Sequence, residues 1–207
     1  MSGRARFLSE VDVSRETLER LDLYAALLAK WNPSINLVAK STLGELWTRH
    51  FLDSAQILNL ADPNLHHWVD LGTGGGFPGL IVAILAAQKR PDLKMTCVES
   101  DMRKATFLRT VCRETGITCD VISKRIEDIA PLEADIISAR ALASLDKLLV
   151  FSHQHLKPEG KAIFLKGAGY REEVDEARKH WGFSMQAVPS KTDNKATILT
   201  LGDLQRV

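Results

Sequence analysis

Cysteine is scarce in this chain and poorly spaced for chemistry. The 207 residues hold three, Cys97, Cys112 and Cys119. Their number is odd, no C-x-x-C pair occurs, and each sits in an apolar strand-like or helix-like stretch, so neither a disulfide framework nor a zinc site is expected. They read as core thiols, and no metal is called for. No apolar run approaches the length of a membrane span, so no membrane partner is expected. An excess of one charge is also missing: 27 basic residues stand against 26 acidic ones, a formal net charge of +1. That balance excludes a lysine-coated chain that binds nucleic acid indiscriminately. The opening residues Met1-Ser2-Gly3-Arg4-Ala5-Arg6 lack the apolar core of a secretory signal, which gives a cytoplasmic expectation, with a monomer as the default state. No internal repeat or low-complexity segment is present.

What the chain does have is glycine concentrated in one place. Five of the eight residues from Gly72 to Gly79 are glycine, directly after the strand-like run Trp68-Val69-Asp70-Leu71 and directly before an apolar helical stretch. Glycine is needed where the backbone takes positive φ or lets a ligand approach without a Cβ in the way. A strand that breaks into glycines and enters a helix is a turn for a nucleotide-bearing cofactor. Two spacings coexist in it. Gly74-x-Gly76-x-x-Gly79 satisfies the dinucleotide pattern, whereas Asp70-x-Gly72-x-Gly74-x-Gly76 fits the turn of S-adenosylmethionine-dependent methyltransferases. Asp70 favours the second, as a carboxylate near the cofactor's amino-acid end or as a brace for the loop. Glu99 ends the next strand, Lys94 to Glu99, where its carboxylate can accept from both ribose hydroxyls.

The remaining pattern frames this turn. Apolar residues recur at helical spacing from Ser14 to Trp31, and a second helix is expected over 43–60, so residues 1–64 read as a helical extension. From His67 the chain alternates: strand to Leu71, helix 79–89, strand 94–99, helix 102–115, strand 117–123, strand 134–139. Strand 161–166, helix 171–181, and strands 183–188 and 196–201 follow. The last two form a hairpin. The fold expected for residues 65–207 is therefore α/β and Rossmann-like, a mostly parallel sheet closed by an antiparallel C-terminal pair, as in class I methyltransferases. Dinucleotide-binding Rossmann domains continue with parallel strands instead, and an NAD-dependent oxidoreductase is the competing reading of the glycine turn.

Several segments together carry a more specific likeness: Lys30-Trp31-Asn32 with Asn36-Leu37, Arg49-His50-Phe51-Leu52-Asp53-Ser54, the run from Asp70 to Gly79, Arg125-Ile126-Glu127-Asp128, Ser138-Ala139-Arg140-Ala141 and Leu165-Lys166-Gly167. In their order and spacing the chain resembles, over nearly its full length, the bacterial glucose-inhibited division protein B family, now called RsmG. The resemblance implies a 16S ribosomal RNA methyltransferase. It would move a methyl group from S-adenosylmethionine to N7 of one guanine in the decoding region (530 loop), within the small ribosomal subunit or an assembly intermediate. It also implies cofactor contacts from Gly72, Phe77, Ile126, Glu127 and Arg140, beside Asp70, Gly74 and Glu99 from the turn and strand ends. The family often has proline where this chain has Gly75.

Guanine N7 has an in-plane lone pair and no proton, so the reaction asks for alignment and electrostatics rather than a general base. Consistently, the Asn/Asp-Pro-Pro-aromatic loop of amino-group methyltransferases and the Pro-Cys of cytosine C5 enzymes are both missing. Arg125, Arg140 and Lys166 are expected to orient the reactants or supply charge, since cations that follow parallel strands emerge at the sheet's carboxyl edge. Asn36, Arg49, His50 and Lys195 are candidate RNA contacts. Arg49, His50 and Asp53 share one helical face, where a His–Asp pair serves equally as a structural hydrogen bond. The tryptophans read as packing.

Overall fold

The computed structural model describes residues 2–207. One seven-stranded sheet organises it, in the order β3-β2-β1-β4-β5-β7-β6. The strands are β1 (His67–Leu71), β2 (Lys94–Val98), β3 (Asp120–Ile122), β4 (Ala134–Arg140), β5 (Leu156–Lys166), β6 (Trp181–Pro189) and β7 (Thr197–Arg206). β1 to β5 run parallel, and β7 inserts antiparallel between β5 and β6. This is the class I methyltransferase arrangement, with the expected antiparallel C-terminal pair. Strand order reverses between β1 and β4, and a crevice outside the carboxyl ends of two such strands is where open α/β sheets bind ligands. The ends that meet there are the glycine turn after Leu71 and Arg140.

The helices cover both faces of the sheet. On one face lie α1 (Gly3–Glu10), α2 (Arg15–Ile35), α4 (Gly79–Lys89) and α5 (Met102–Thr115), in a core that includes Phe7, Tyr24, Phe51, Trp68 and Phe107. On the other lie α6 (Leu145–His155) and α7 (Tyr170–Ala177). α4 is buried at every residue from Gly79 to Ala86 because sheet and N-terminal helices enclose it, which is why its sequence is apolar on all sides. α5 has the expected bounds: the Asp101 side chain caps its start on the Arg103 amide, and Gly116 closes it in the left-handed region.

Elsewhere the elements depart from expectation. α2 runs through Pro33 to Ile35, because a proline in the last turn removes a single hydrogen bond, and Asn36 ends it at φ 49°. The single helix expected over 43–60 is broken into a 3₁₀ turn (Lys40–Glu45), a π-helical stretch (Leu46–Leu52), the short α3 (Asp53–Ala55) and a second 3₁₀ turn (Leu58–Leu60). Strand 117–123 shrinks to Asp120–Ile122, since the Ile117 amide is bonded to Cys112 O at the end of α5. α1 and α6 have no counterpart in the sequence reading. The last helix stops at Ala177, and Trp181 opens β6. No helix among the described residues is long and apolar enough to cross a membrane.

Candidate active site

The glycine turn is held from below by a buried polar relay. Trp68 Nε1 donates to Ser138 Oγ at 2.9 Å, Ser138 Oγ donates to Asp70 Oδ1 at 2.6 Å, and Asp70 Oδ2 accepts from the Gly79 amide at 2.9 Å. Asp70 is fully buried, and burial pushes its carboxyl up to about 6 although its hydrogen bonds favour the ionised form. The carboxylate therefore spends its oxygens on the sheet and on the first turn of α4. Asp70, expected among the cofactor contacts, lies outside the cavity lining and acts as the brace. Gly79 is required for this arrangement, since a Cβ there would stand 2.8 Å from Asp70 Oδ2 and 2.6 Å from Cys97 Sγ. Gly76, at φ +100°, makes the bend. Tyr24 of α2 donates its hydroxyl to Gly75 O, and its ring stacks on Phe77 at 5.6 Å between centroids.

Above the turn a cavity of about 440 Å³ opens at the strand reversal, within the size range of small-molecule sites. Gly72, Gly74, Phe77, Glu99, Arg125, Ile126, Glu127 and Arg140 all line it. Glu99 Oε2 accepts from the Gly74 amide at 2.9 Å and Oε1 from the Asp101 amide at 2.8 Å, so the side chain fixes the turn and still offers each oxygen's second lone pair to the cavity. Glu127, on the 3₁₀ turn Ile126–Asp128, stands 3.7 Å from Arg125 and 3.8 Å from Lys147. The Leu142 side chain lies over Gly72. Carboxylates at the strand ends and bare backbone at the turn are a donor and acceptor set that fits S-adenosylmethionine: acceptors for ribose hydroxyls on one side, close backbone approach for the amino-acid moiety on the other.

A second, open groove of about 1220 Å³ adjoins the first, and His50, Arg140, Ala141, Leu142 and Ala143 line both. Arg140 stands at the junction. Its guanidinium donates to Arg49 O at 2.9 Å, to Asp53 Oδ2 at 3.2 Å and to His50 Nδ1 at 2.8 Å, and lies 5.1 Å from the centre of the Phe77 ring. A guanidinium cannot accept, so Nδ1 of His50 carries no proton and Nε2–H donates to Thr42 Oγ1 at 2.9 Å. Burial, with Arg140 and Arg49 adding repulsion, lowers His50 to about 4. Ala141, immediately after, takes φ +52°, an uncommon conformation for a residue with a side chain. Asp53 Oδ1 accepts from Gln56, Thr192 and Ser190, which ties the groove's far wall to the same hub.

The other candidates scatter. Lys166 lines the groove, 9% exposed, 2.6 Å from Glu173 Oε2 and 3.1 Å from Ala143 O. Arg49 lines the groove with an exposed side chain 3.7 Å from Glu45. Lys195 is exposed on the loop between β6 and β7 but outside the lining. Asn36 lines neither space, and its identity is explained by the left-handed C-cap of α2, which asparagine tolerates. Sequence reasoning missed Tyr24, Ala141, Leu142, Thr192 and Glu173. For Tyr24 the helical period signals packing alone, and nothing local signals its bond to a turn 51 residues on. Among the described residues, no three His, Cys, Asp or Glu side chains are grouped to hold a metal.

Comparison with known proteins bears on this geometry. Residues 17–199 match the GidB family, described as rRNA small subunit methyltransferase G. A protein named ribosomal RNA small subunit methyltransferase G from Ruegeria pomeroyi is 54% identical, with 95% of this chain and 96% of the relative covered. One of the same name from Paramagnetospirillum magneticum is 48% identical over 99% and 97%. Among solved structures, MtNAS in complex with S-adenosylmethionine superposes with a TM-score of 0.57 at 18% identity, covering 90% of this chain and 76% of that one. A tRNA methyltransferase, TrmI from Aquifex aeolicus, does so at 0.56 and 14%, covering 75% and 69%. At such identities these likenesses speak for the fold.

Proposed function

The chain belongs to the GidB family of rRNA small subunit methyltransferases, and from that premise we propose that it transfers a methyl group from S-adenosylmethionine to N7 of one guanine in the 530 loop of 16S ribosomal RNA. The observation that carries this reading is the meeting of two spaces at Arg140: a smaller cavity with the donor and acceptor set for the cofactor, and a larger groove with room for an extruded nucleotide.

When bound, the cofactor would supply a methyl group on a positively charged sulfur, which the in-plane lone pair of N7 would take as the sulfur–methyl bond breaks and S-adenosylhomocysteine is left. The chain's own residues then have to align and to shield. Glu99 would take the ribose side, and Ile126 with Glu127 the adenine end. Gly72 and Gly74 admit the amino-acid end, beside Phe77. Arg140, clamped by three acceptors from the N-terminal helical segment, holds the wall between the two spaces at a fixed angle. Its charge is balanced by Asp53, so the junction carries little net repulsion toward a cationic reactant. His50 stays neutral there at physiological pH. No side chain at the junction is needed to remove a proton, because N7 has none to lose.

On the RNA side, Arg49, Lys166 and Lys195 bring positive charge to the groove and its rim, few enough that we expect recognition of folded RNA in the small subunit or its precursor rather than of free strands. That substrate places the reaction in the cytoplasm, with the chain acting as a monomer. The test is to incubate the protein with methyl-labelled S-adenosylmethionine and small subunits from cells lacking this gene, then to cleave the RNA chemically at N7-methylguanine. One new cleavage in the decoding region is the expected result. Label without cleavage would reject the N7 assignment, and no label despite cofactor binding would reject the substrate.

A further inference from the structure

The groove holds a second ion pair, Lys166 with Glu173, whose carboxylate the reaction above leaves without a task. Resting on that reading of the substrate, we propose that Lys166 and Glu173 identify the target base as guanine, the ammonium donating to O6 and the free carboxylate oxygen accepting from N1–H.

The placement of the two groups carries the argument. Lys166 closes β5, and its ammonium is bonded to the carbonyl of Ala143, a residue that borders both spaces. Two of its three N–H bonds are committed, to Ala143 and to Glu173, and the third is available to the groove. Glu173, on α7, uses Oε2 for both Lys166 at 2.6 Å and the amide of Leu145 at 2.7 Å. Its Oε1 has no partner among the described residues, and the side chain is 32% exposed and lines the groove. Lys166, bonded to Ala143 at the shared wall, thus offers the groove a donor, and Glu173 beside it offers an acceptor.

Guanine carries the complement. Starting from N7, which must face the cofactor cavity, its edge offers the O6 acceptor and then the N1–H donor. Adenine reverses both: an amino donor meets the ammonium, and an unprotonated N1 meets the carboxylate. Pyrimidines have no N7 to present. The two pairs in the groove thus divide the work, Arg140 with Asp53 shaping the junction and Lys166 with Glu173 reading the base. Helix capping accounts for one oxygen of Glu173, through Leu145, but not for the unpartnered Oε1.

Glu173→Gln is the informative change. It preserves size, keeps a carbonyl oxygen for the Leu145 amide and turns the free acceptor into a donor. Initial rates of label transfer are measured on small subunits bearing either guanine or adenine at the target position, with S-adenosylhomocysteine binding followed by calorimetry. We expect cofactor affinity to be unchanged and the guanine-to-adenine rate ratio to fall by about ten- to a hundredfold, the worth of one base-reading contact. If the variant keeps the wild-type ratio, or leaves adenine as untouched as the wild type does, the proposal is overturned. Should Glu173→Gln fail to unfold cooperatively, Lys166→Met decides on the same ratio, because loss of the ammonium relieves the clash with adenine's amino group. Failure of the wild-type protein to label guanine subunits would instead defeat the N7 reading and not this pairing.

Discussion

Asp53 and Arg140 lie 87 residues apart in the chain and face each other at 3.2 Å, with side chains only 14% and 18% exposed. The contact joins an irregular N-terminal helical segment to the end of a central strand at the point where two binding spaces meet. A pair this sheltered differs from a surface ion pair, since removing one partner leaves a charge with little water to replace it.

Asp53→Asn should therefore lower stability by about 1 to 3 kcal/mol, between the values for exposed and fully buried pairs. It should also loosen the guanidinium from its fixed angle, so kcat falls further than S-adenosylhomocysteine affinity. Urea midpoints and the split between the two kinetic quantities check this. A variant that loses stability alone would reduce the contact to a structural one.

Gly79→Ala probes the brace beneath the glycine turn. The added methyl would meet Asp70 Oδ2 and Cys97 Sγ at distances below van der Waals contact, and overpacking of this kind costs about 1 to 3 kcal/mol. Because Gly79 opens α4 and its amide is bonded to Asp70, the strain passes into the loop that lines the cavity. Weaker S-adenosylhomocysteine binding together with a lower urea midpoint is expected. An alanine variant with wild-type values of both would show that the turn can yield there.

The parts of this site that were legible in the sequence are those built from neighbours in the chain. A strand that ends in glycines and an apolar helix announces β1, the turn and α4 together, and Glu99 follows from the next strand's end. Helix α5 was legible at both ends because Asp101 and Gly116 act locally. The 40–60 segment was not, since its apolar residues keep helical spacing while the backbone passes through 3₁₀ and π stretches. Asn36, a polar residue expected at RNA, lines neither space, and the left-handed C-cap it forms is invisible in composition alone. Lys166 and Glu173 belong to different elements, and their pairing depends on how α7 folds back over β5.

Asp70 and His50 make opposite contributions to the pH dependence of stability. The folded-state value of Asp70 is raised from 3.8 to about 6, so the native state binds the extra proton, and its contribution is present at low pH and lost as pH rises toward 6. That of His50 is lowered from 6.5 to about 4, so its contribution is present above 6.5 and lost as pH falls toward 4. In wild type the two partly cancel. Asp70→Asn removes only the first, and relative to wild type its stability should improve by on the order of 3 kcal/mol between pH 4 and pH 6. Urea titrations of both proteins at intervals across that window would show a constant difference if the carboxyl were unperturbed.

Glu99 and Lys166 stand in different spaces, and substituting them should separate the two binding events. Glu99 lines the smaller cavity and holds the amides of Gly74 and Asp101. Glu99→Gln keeps the size but sets an NH2 group against one of these two amides and removes the charged acceptor, and such a bond contributes about 1.5 to 3 kcal/mol. S-adenosylhomocysteine affinity should then fall by roughly ten- to a hundredfold, with small-subunit affinity unchanged. Lys166 lines the groove and not the cavity, so Lys166→Ala should do the reverse, lowering methyl transfer and subunit affinity while S-adenosylhomocysteine binds as before. Calorimetry with the cofactor product and filter binding with labelled subunits give both numbers for each variant. A joint loss of both affinities in the lysine variant would mean that the wall at Ala143, to which the ammonium is bonded, transmits its removal into the cofactor cavity, and the lysine would then be a support for that wall rather than a contact for RNA.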